Sequence, residues 1–183
     1  TVKPANQASC DDFDIIFGSR GQGSRCRCQY WRIRDKDWRS VPVEERAFRH
    51  REQTDCGQPE SETTSGIVAY LEGEPVGWCA VEPRSEYLRL RYTPVPWQGR
   101  DEDKDDDTVW AVVCLFVRAG YRKRGISGAL AKAAVEFARA RGARALEGYP
   151  MLTERGVDIT WDELRVGSRS VFANAGFTEL SHP

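Results

Sequence analysis

A nine-residue run in the second half of the chain, VWAVVCLFV at 109–117, is apolar at every position. A strand with one face in water alternates apolar and polar residues, whereas a run without a polar face is typical of a strand covered on both faces. The run therefore predicts a central strand with other elements packed above and below it. A layered arrangement of helices on a sheet follows from this.

Two segments after this run fit the same layers. SGALAKAAVEFARARG at 127–142 places apolar residues three and four positions apart, which predicts an amphipathic helix, and Gly142 suits the position just past its end. ARALEGYP at 143–150 then predicts a strand that Pro150 stops.

The rest of the chain predicts further elements of both kinds. GIVAYL at 66–71 and PVGWCAVE at 75–82 form a hairpin signal around Glu-Gly-Glu. Other segments predict helices at 43–52 and 168–176 and strands at 28–33 and 177–180. The result is a mixed α/β (α+β) fold in one domain, 1–183, with a long excursion at 83–107 and an N-terminal arm at 1–25.

Composition excludes several classes of function. Lys+Arg 27 and Asp+Glu 28 leave a net charge of -1, so nothing favours nucleic acid as a partner. No apolar run approaches the roughly 20 residues of a membrane span, and the first residues lack the layout of a signal peptide. A cytoplasmic protein is expected, with no membrane partner.

Six cysteines are present, and for a chain of this kind reduced structural thiols are favoured over disulfides. Cys79 and Cys114 lie inside apolar runs, which is typical of buried thiols. Cys26 and Cys28 lack the two-residue spacing of common zinc knuckles, so no metal site is predicted, although structural zinc remains an alternative.

A basic, glycine-containing turn, RAGYRKRGI, separates the central strand from the helix at 127–142. A helix N-terminus has unpaired N–H groups and a partial positive charge, and Gly125 and Gly128 let a ligand approach them closely. Arg122, Lys123 and Arg124 add formal charge. These features predict an anion site suited to a pyrophosphate. The spacing matches neither a Walker loop nor GxGxxG.

The pattern Arg122-x-x-Gly125-x-Ser127, placed between a buried strand and an amphipathic helix, resembles the acetyl-CoA motif of the GCN5-related N-acetyltransferases (GNAT). Ser127 stands where the family has Gly or Ala, and Ala119 replaces a frequent proline. The resemblance is strong over 109–149, fair over 66–82 and 168–180, and weak before residue 60. CRCQYWR resembles the N-terminal pattern of a bacterial subset.

The resemblance implies a central mixed sheet flanked by helices, in which strands 109–117 and 143–149 are parallel and splay apart. The pantetheine arm of acetyl-CoA would lie in the gap and the pyrophosphate at the turn. The cofactor-binding residues so implied are Leu115, Phe116, Val117, Arg122, Lys123, Arg124, Gly125, Ile126, Ser127, Gly128, Phe172 and Asn174.

The implied chemistry is direct attack of a primary amine, on a small molecule or a peptide, on the thioester. The family's usual acid, a tyrosine four residues before the closing Gly-Phe, is Phe172 here, and the strand 109–117 carries no carboxylate. The candidate catalytic residues are therefore Glu82, Glu147 and Asp107 as bases and Tyr149 as the acid. For Cys114, packing is favoured over covalent catalysis.

The sequence leaves the identity of the acceptor open. The acidic run DEDKDDD at 101–107 either borders the acceptor pocket and attracts a cationic amine or is a solvated loop. Aromatic residues could wall the pocket or belong to the core, namely Tyr30, Trp31, Trp78, Tyr87 and Trp97. His50 is expected on a charged helix face.

Two alternatives to an N-acetyltransferase remain open from the sequence. One is a non-catalytic acyl-CoA-binding or regulatory module, because the usual acid and base are missing. The other is a zinc-stabilised interaction protein. Either a monomer or a homodimer is compatible with the sequence.

Overall fold

One five-stranded sheet, in the order β1-β2-β3-β4-β5, organises the computed structural model, which describes residues 1–151 and 164–180. The pairs from β1 to β4 are antiparallel, and β5 runs parallel to β4. The strands are β1 (Val2–Pro4), β2 (Ile67–Leu71), β3 (Glu74–Pro83), β4 (Val109–Val117) and β5 (Ala145–Gly148).

Helices cover both faces of the sheet. One face packs against α4, and the opposite face packs against α1. The helices are α1 (Cys10–Phe17), α2 (Gly21–Cys26), α3 (Val43–Thr54), α4 (Ile126–Ala140) and α5 (Arg169–Asn174). Among the residues described, no helix has the length and apolarity needed to cross a membrane.

The apolar run at 109–117 is the covered strand that its composition predicts. Val112 and Leu115 pack in the cluster that contains Leu130 of α4, and Ala111 and Val113 pack in the cluster that contains Phe13 of α1. Because both faces are buried, a polar residue on either face would lose water without gaining a partner.

The predicted hairpin and the main helix are confirmed. Glu72 and Gly73, between β2 and β3, both have positive φ (53° and 85°), as a type I′ turn requires. Gly142 follows the last residue of α4 by two positions and adopts a φ of 78°, which is the left-handed conformation that ends a helix. Helix α3 and helix α5 also lie where they were predicted.

The N-terminal segment 1–25 is more than the arm expected from its polar composition. Its β1 extends the sheet by pairing with β2, and α1 begins with a capping box between Ser9 and Asp12. Phe13, Ile16 and Phe17 of α1 are buried. These spaced apolar positions were a detectable helix signal that the surrounding polar residues obscured.

Two predicted strands are absent from the described chain. Residues 28–33 form a turn that starts with Arg27 and Cys28 at positive φ (48° and 53°), so their aromatic content reflects packing. Residues 177–180 are irregular, because Phe177 donates its N–H to the Phe172 carbonyl (3.1 Å) instead of pairing with a strand.

The cysteines fall into two groups. Cys10 and Cys56 form a disulfide with a Cα–Cα distance of 5.1 Å, so the expectation of reduced thiols is wrong for this pair. Sequence spacing concealed the pair, because 46 positions separate residues that the packing of α1 and α3 brings together. Cys26, Cys28, Cys79 and Cys114 are buried free thiols. In the described part of the chain, no group of three His, Cys, Asp or Glu side chains could hold a metal ion.

His50 lies in the core, so its predicted place on a charged helix face is wrong. Its ring packs edge-on against Phe13 (4.7 Å between ring centroids), Trp78 (4.9 Å) and Phe17 (5.3 Å). The buried face of α3 carries Arg46, His50 and Thr54 at intervals of four, which no hydrophobicity pattern reveals. Burial, assisted by nearby positive charge, lowers the pKa of His50 to about 3.

The buried neutral His50 makes stability depend on pH. Below about pH 6.5 the unfolded chain binds a proton at this residue, and the folded chain binds it only near pH 3. The free energy of unfolding therefore falls as the pH falls, by about 2 kcal/mol between pH 7.5 and pH 5.0 from this residue. His50→Phe should remove that part of the pH dependence.

Urea unfolding of both proteins at the two pH values measures the effect. Native protein should lose about 2 kcal/mol more than His50→Phe. Equal losses would show that His50 does not remain neutral in the folded state.

Candidate functional site

The strands β4 and β5 separate in the middle of β4. Their ladder runs from Val109↔Ala145 to Val112↔Gly148, and β4 then continues for five residues, 113–117, without β5 beside it. On the other side, Val112 and Cys114 pair with consecutive residues of β3, so Val113 is the extra residue of a β-bulge. A bulge bends its strand, which explains why the separation begins here.

Phe172 of α5 lies at the mouth of this gap. Phe172 is 3% exposed, and a Cβ added to Gly148 would lie 2.5 Å from its ring. A Cβ added to Gly167 would lie 2.6 Å from the same ring and 3.1 Å from Leu115. Two glycines are therefore what allows the ring to fit between the end of β5 and the free half of β4.

A groove of about 270 Å³, here called the basic groove, lies between the free half of β4, the start of α4 and the segment before α5. Nine of the predicted cofactor-binding residues line it, and Arg124, Phe172 and Asn174 do not. Sequence reasoning missed five of its residues: Tyr121, Arg165, Gly167, Ser168 and Val171. The predicted residues present are Leu115, Phe116, Val117, Arg122, Lys123, Gly125, Ile126, Ser127 and Gly128.

The three predicted residues outside the groove have other places. The Arg124 guanidinium lies 5.3 Å from the centre of the Tyr121 ring. Phe172 lines the second cavity, described below, and Asn174 is exposed on α5. Asn174 lines neither cavity, so its contact with the cofactor stays a prediction.

The basic groove has the donors that a pyrophosphate group needs. Gly125 caps α4 with a φ of 77° and offers no side-chain oxygen, so the N-cap residue itself leaves the first N–H groups of the helix to other partners. A Cβ added at Gly128 would meet nothing within 4 Å. Arg122 hydrogen bonds through Nε to the Val117 carbonyl (3.4 Å), which holds its charge beside the groove. Positive charge, a helix start and open space fit a bound anion.

A second cavity, of about 630 Å³, lies on the other side of Phe172 and is here called the acceptor cavity. Its walls come from the 83–107 excursion, from the end of β5 and from α5 with the residues after it. Among the predicted aromatic residues Trp31 lines it, whereas Trp78, Tyr87 and Trp97 are buried in the core.

Two predicted catalytic residues meet in the acceptor cavity. The Tyr149 hydroxyl donates a hydrogen bond to Oε2 of Glu147 (2.6 Å), and Oε1 of Glu147 accepts from Arg84 (3.3 Å) and from Arg100. Burial, and then the negative charge of Glu147, raise the pKa of Tyr149, so this hydroxyl keeps its proton at neutral pH.

The third predicted catalytic residue, Glu82, is held elsewhere. Glu82 and Glu147 both lie opposite Ala111, one on each neighbouring strand. The Glu82 carboxylate is buried and accepts from Arg32 Nη1 (2.5 Å), and it does not line the acceptor cavity. Burial raises the pKa of Glu82 and the Arg32 charge opposes the rise.

The acidic run 101–107 does not border the acceptor cavity. Glu102 pairs with Arg84 (2.8 Å) and Asp106 pairs with Arg144 (2.7 Å), so the run is a surface loop held by arginines. Asp107, a predicted base, is exposed on this loop. The position of the acidic run at the surface follows from ion pairs with residues distant in the chain, which local composition does not show.

Residues 28–149 match the model of the Acetyltransferase (GNAT) family. No curated protein sequence matches the chain. A solved acetyltransferase is 18% identical, with 99% of this chain and 90% of that chain covered and a TM-score of 0.53.

Two further solved structures share the fold. Aminoglycoside antibiotic 6′-N-acetyltransferase AAC(6′)-IG from Acinetobacter haemolyticus is 16% identical, with 100% of this chain and 94% of that chain covered and a TM-score of 0.50. A transcriptional regulator from Bacillus halodurans C-125 is 16% identical, with 100% and 95% covered and a TM-score of 0.50. At these identities the likeness shows a shared fold, and a fold alone does not imply a function.

The contact between Gly148 and Phe172 predicts a coupled pair of substitutions. Gly148→Ala should lower the free energy of unfolding by about 1–3 kcal/mol, because its methyl group would overlap the Phe172 ring. Adding Phe172→Leu should relieve the overlap, so the double variant should be more stable than the sum of the single effects by about 1 kcal/mol. Urea unfolding of the four proteins measures this, and simple additivity would show that the ring does not fill the gap.

Proposed function

Because the chain belongs to the GNAT family of acetyltransferases, we propose that it transfers the acetyl group of acetyl-CoA to a primary amine of a small molecule or a peptide. The proposal depends most on one observation. The basic groove and the free half of β4 meet at the point where β4 and β5 separate, and the acceptor cavity begins on the other side of Phe172. The two cavities therefore lie on either side of one residue, Phe172, next to the free half of β4.

The basic groove would hold the cofactor end of acetyl-CoA. The first N–H groups of α4, with Arg122 and Lys123 beside them, would bind the pyrophosphate. Backbone groups of Leu115 to Val117, which β5 does not pair, would hydrogen bond to the amides of the pantetheine arm as a neighbouring strand would. Acetyl-CoA itself supplies the thioester whose carbonyl carbon the amine attacks.

A charged acceptor first releases one proton to water, and transfer to the resulting free amine then requires two proton movements. The amine nitrogen forms a bond to the carbonyl carbon and loses a proton, while the bond from carbon to sulfur breaks and the sulfur gains a proton. Tyr149 would donate to the sulfur, since its hydroxyl is protonated at neutral pH and it lines the acceptor cavity. Glu147, hydrogen bonded to Tyr149, would receive the amine proton on Oε2 and return one to the tyrosine.

A non-catalytic acyl-CoA-binding module is the second candidate. Two observations favour it: Phe172 stands where the family commonly has its acid, and both Glu82 and Glu147 are engaged by arginines. Cofactor binding is common to both candidates. Release of free thiol from acetyl-CoA in the presence of amines separates them.

A charge reversal in the basic groove tests the cofactor site. Gly128→Asp places a carboxylate where the pyrophosphate would bind and should weaken acetyl-CoA binding at least about tenfold, which is ~1.4 kcal/mol. Ala129→Asp is the matched control, because Ala129 is the next residue of α4, is exposed and does not line the groove. Both changes favour the start of the helix, so neither should unfold it.

Calorimetric titration of acetyl-CoA into the three proteins gives the result. Binding by native protein and by Ala129→Asp, with loss in Gly128→Asp, supports the proposed function. If native protein does not bind acetyl-CoA, or if Gly128→Asp binds it equally well, the proposed cofactor site is wrong.

Removal of one hydroxyl tests the proposed acid. Tyr149→Phe should lower kcat by about tenfold to a thousandfold without changing acetyl-CoA affinity. Tyr70→Phe on β2 is the control. It also removes one tyrosine hydrogen bond of 2.6 Å to a carboxylate, in this case that of Asp12. Thiol-release kinetics with a primary amine measure both variants. An equal kcat for native protein and Tyr149→Phe would exclude the tyrosine as the acid.

A further inference from the structure

We infer that the acceptor is an amine with a single positive charge on an apolar body of aromatic size, and not a polycation. This inference depends on the proposed function, since it names the substrate class of the same acceptor cavity. Three properties of the cavity support it: mostly apolar walls, formal charges that cancel, and the position of the Glu147 carboxylate and the Tyr149 hydroxyl.

The walls of the acceptor cavity are mostly apolar. Trp31, Leu90 and Val95 face it from one side, and Phe172 and Phe177 face it from the other. The two phenylalanine rings pack edge to face at 5.0 Å, which gives that wall a fixed surface. Aromatic and aliphatic walls gain free energy by excluding water from an apolar ligand, and they give nothing to a heavily hydrated one.

The formal charges of the described lining residues cancel. Two arginines and two glutamates line the cavity, and each glutamate is paired with an arginine, Glu147 with Arg100 and Glu179 with Arg169. Arg84 also donates to Glu147. A polyamine or a polyamino sugar would bring several charges into a cavity whose carboxylates are already neutralised.

The acidic run 101–107 does not alter this balance. It is the most negative stretch of the chain, but three of its six carboxylates, those of Glu102, Asp105 and Asp106, pair with arginines, and none of the six lines the cavity. The attraction that the sequence suggested for a cationic acceptor is therefore directed at the surface and not into the cavity.

The Glu147 carboxylate and the Tyr149 hydroxyl lie together at the end of the cavity formed by β5. Glu147 and Tyr149 flank Gly148, the last residue of β5 before the strands separate. An amine bound there would lie beside the point where β4 and β5 separate, and its apolar body would extend along the aromatic walls. A volume of about 630 Å³ falls within the range of small-molecule sites.

A new carboxylate in the wall provides the sharpest test. Val95 lines the cavity and is 56% exposed, so Val95→Asp should fold while adding an unpaired negative charge. Gln98 belongs to the same turn, is exposed and does not line the cavity, which makes Gln98→Asp the matched control. The probes are 2-phenylethylamine and spermidine, titrated calorimetrically in the presence of saturating coenzyme A.

Native protein and Gln98→Asp should bind 2-phenylethylamine at least about tenfold more tightly than spermidine. Val95→Asp should reduce that ratio by about tenfold. Stronger binding of spermidine by native protein, no binding of either amine, or an unchanged ratio in Val95→Asp would each overturn the inference.

Because the readout is binding, this result is separate from the proposed function. Preferential binding of 2-phenylethylamine without thiol release would leave the acceptor class standing and reject the transferase. Transfer of acetyl groups to spermidine, with weak binding of 2-phenylethylamine, would support the transferase and reject the inferred acceptor class.

Discussion

The separation of β4 from β5 is the constraint on which the rest of the site depends. The ladder must end at Val112 and Gly148 because the bulge at Val113 bends β4 away and the Phe172 ring occupies the space that opens. Backbone groups that would otherwise pair with a neighbouring strand become available to a ligand. The groove on one side of the ring and the cavity on the other are both consequences of this one break.

Arginines hold the outer walls in place together with the buried side chains of Tyr87, Leu90 and Trp97. Arg84 is buried, and it joins the 83–107 excursion to β5 by bonding to Glu102 and Glu147. Arg89 similarly binds the backbone of the turn that follows α2, at Tyr30 (2.8 Å) and Ile33 (3.2 Å). Removing a partner from such a buried pair leaves an uncompensated charge, which is far more costly than losing a surface ion pair. The acceptor cavity therefore has walls of irregular chain that are nonetheless fixed.

The N-terminal third contributes packing that its composition conceals. The Cys10–Cys56 disulfide connects the first turn of α1 with the residue two positions after α3, and His50 of α3 fits among three aromatic rings between these helices and the sheet. Burying a neutral imidazole in this way is possible because aromatic edges and faces accept it without charge. This region supports the face of the sheet from which the acceptor cavity opens.

The sequence by itself determined the elements whose signal is local. A continuous apolar run indicates a strand buried on both faces. A Glu-Gly turn between two strands indicates a tight hairpin, and a glycine after an amphipathic segment indicates the end of a helix. The motif at Arg122, Gly125 and Ser127 was readable for the same reason, because an anion site at a helix start is built from neighbouring residues. Nine of the twelve predicted cofactor-binding residues line the basic groove.

Only the tertiary structure decided what depends on residues far apart in the chain. Whether Glu82 faces a cavity or Arg32, whether the acidic run meets a ligand or arginines, and whether His50 meets water or aromatic rings are settled by partners distant in sequence. The disulfide and the acceptor cavity have the same origin. A side chain's charge and environment are properties of the packed neighbours around it, and these neighbours are brought together only when the sheet has formed.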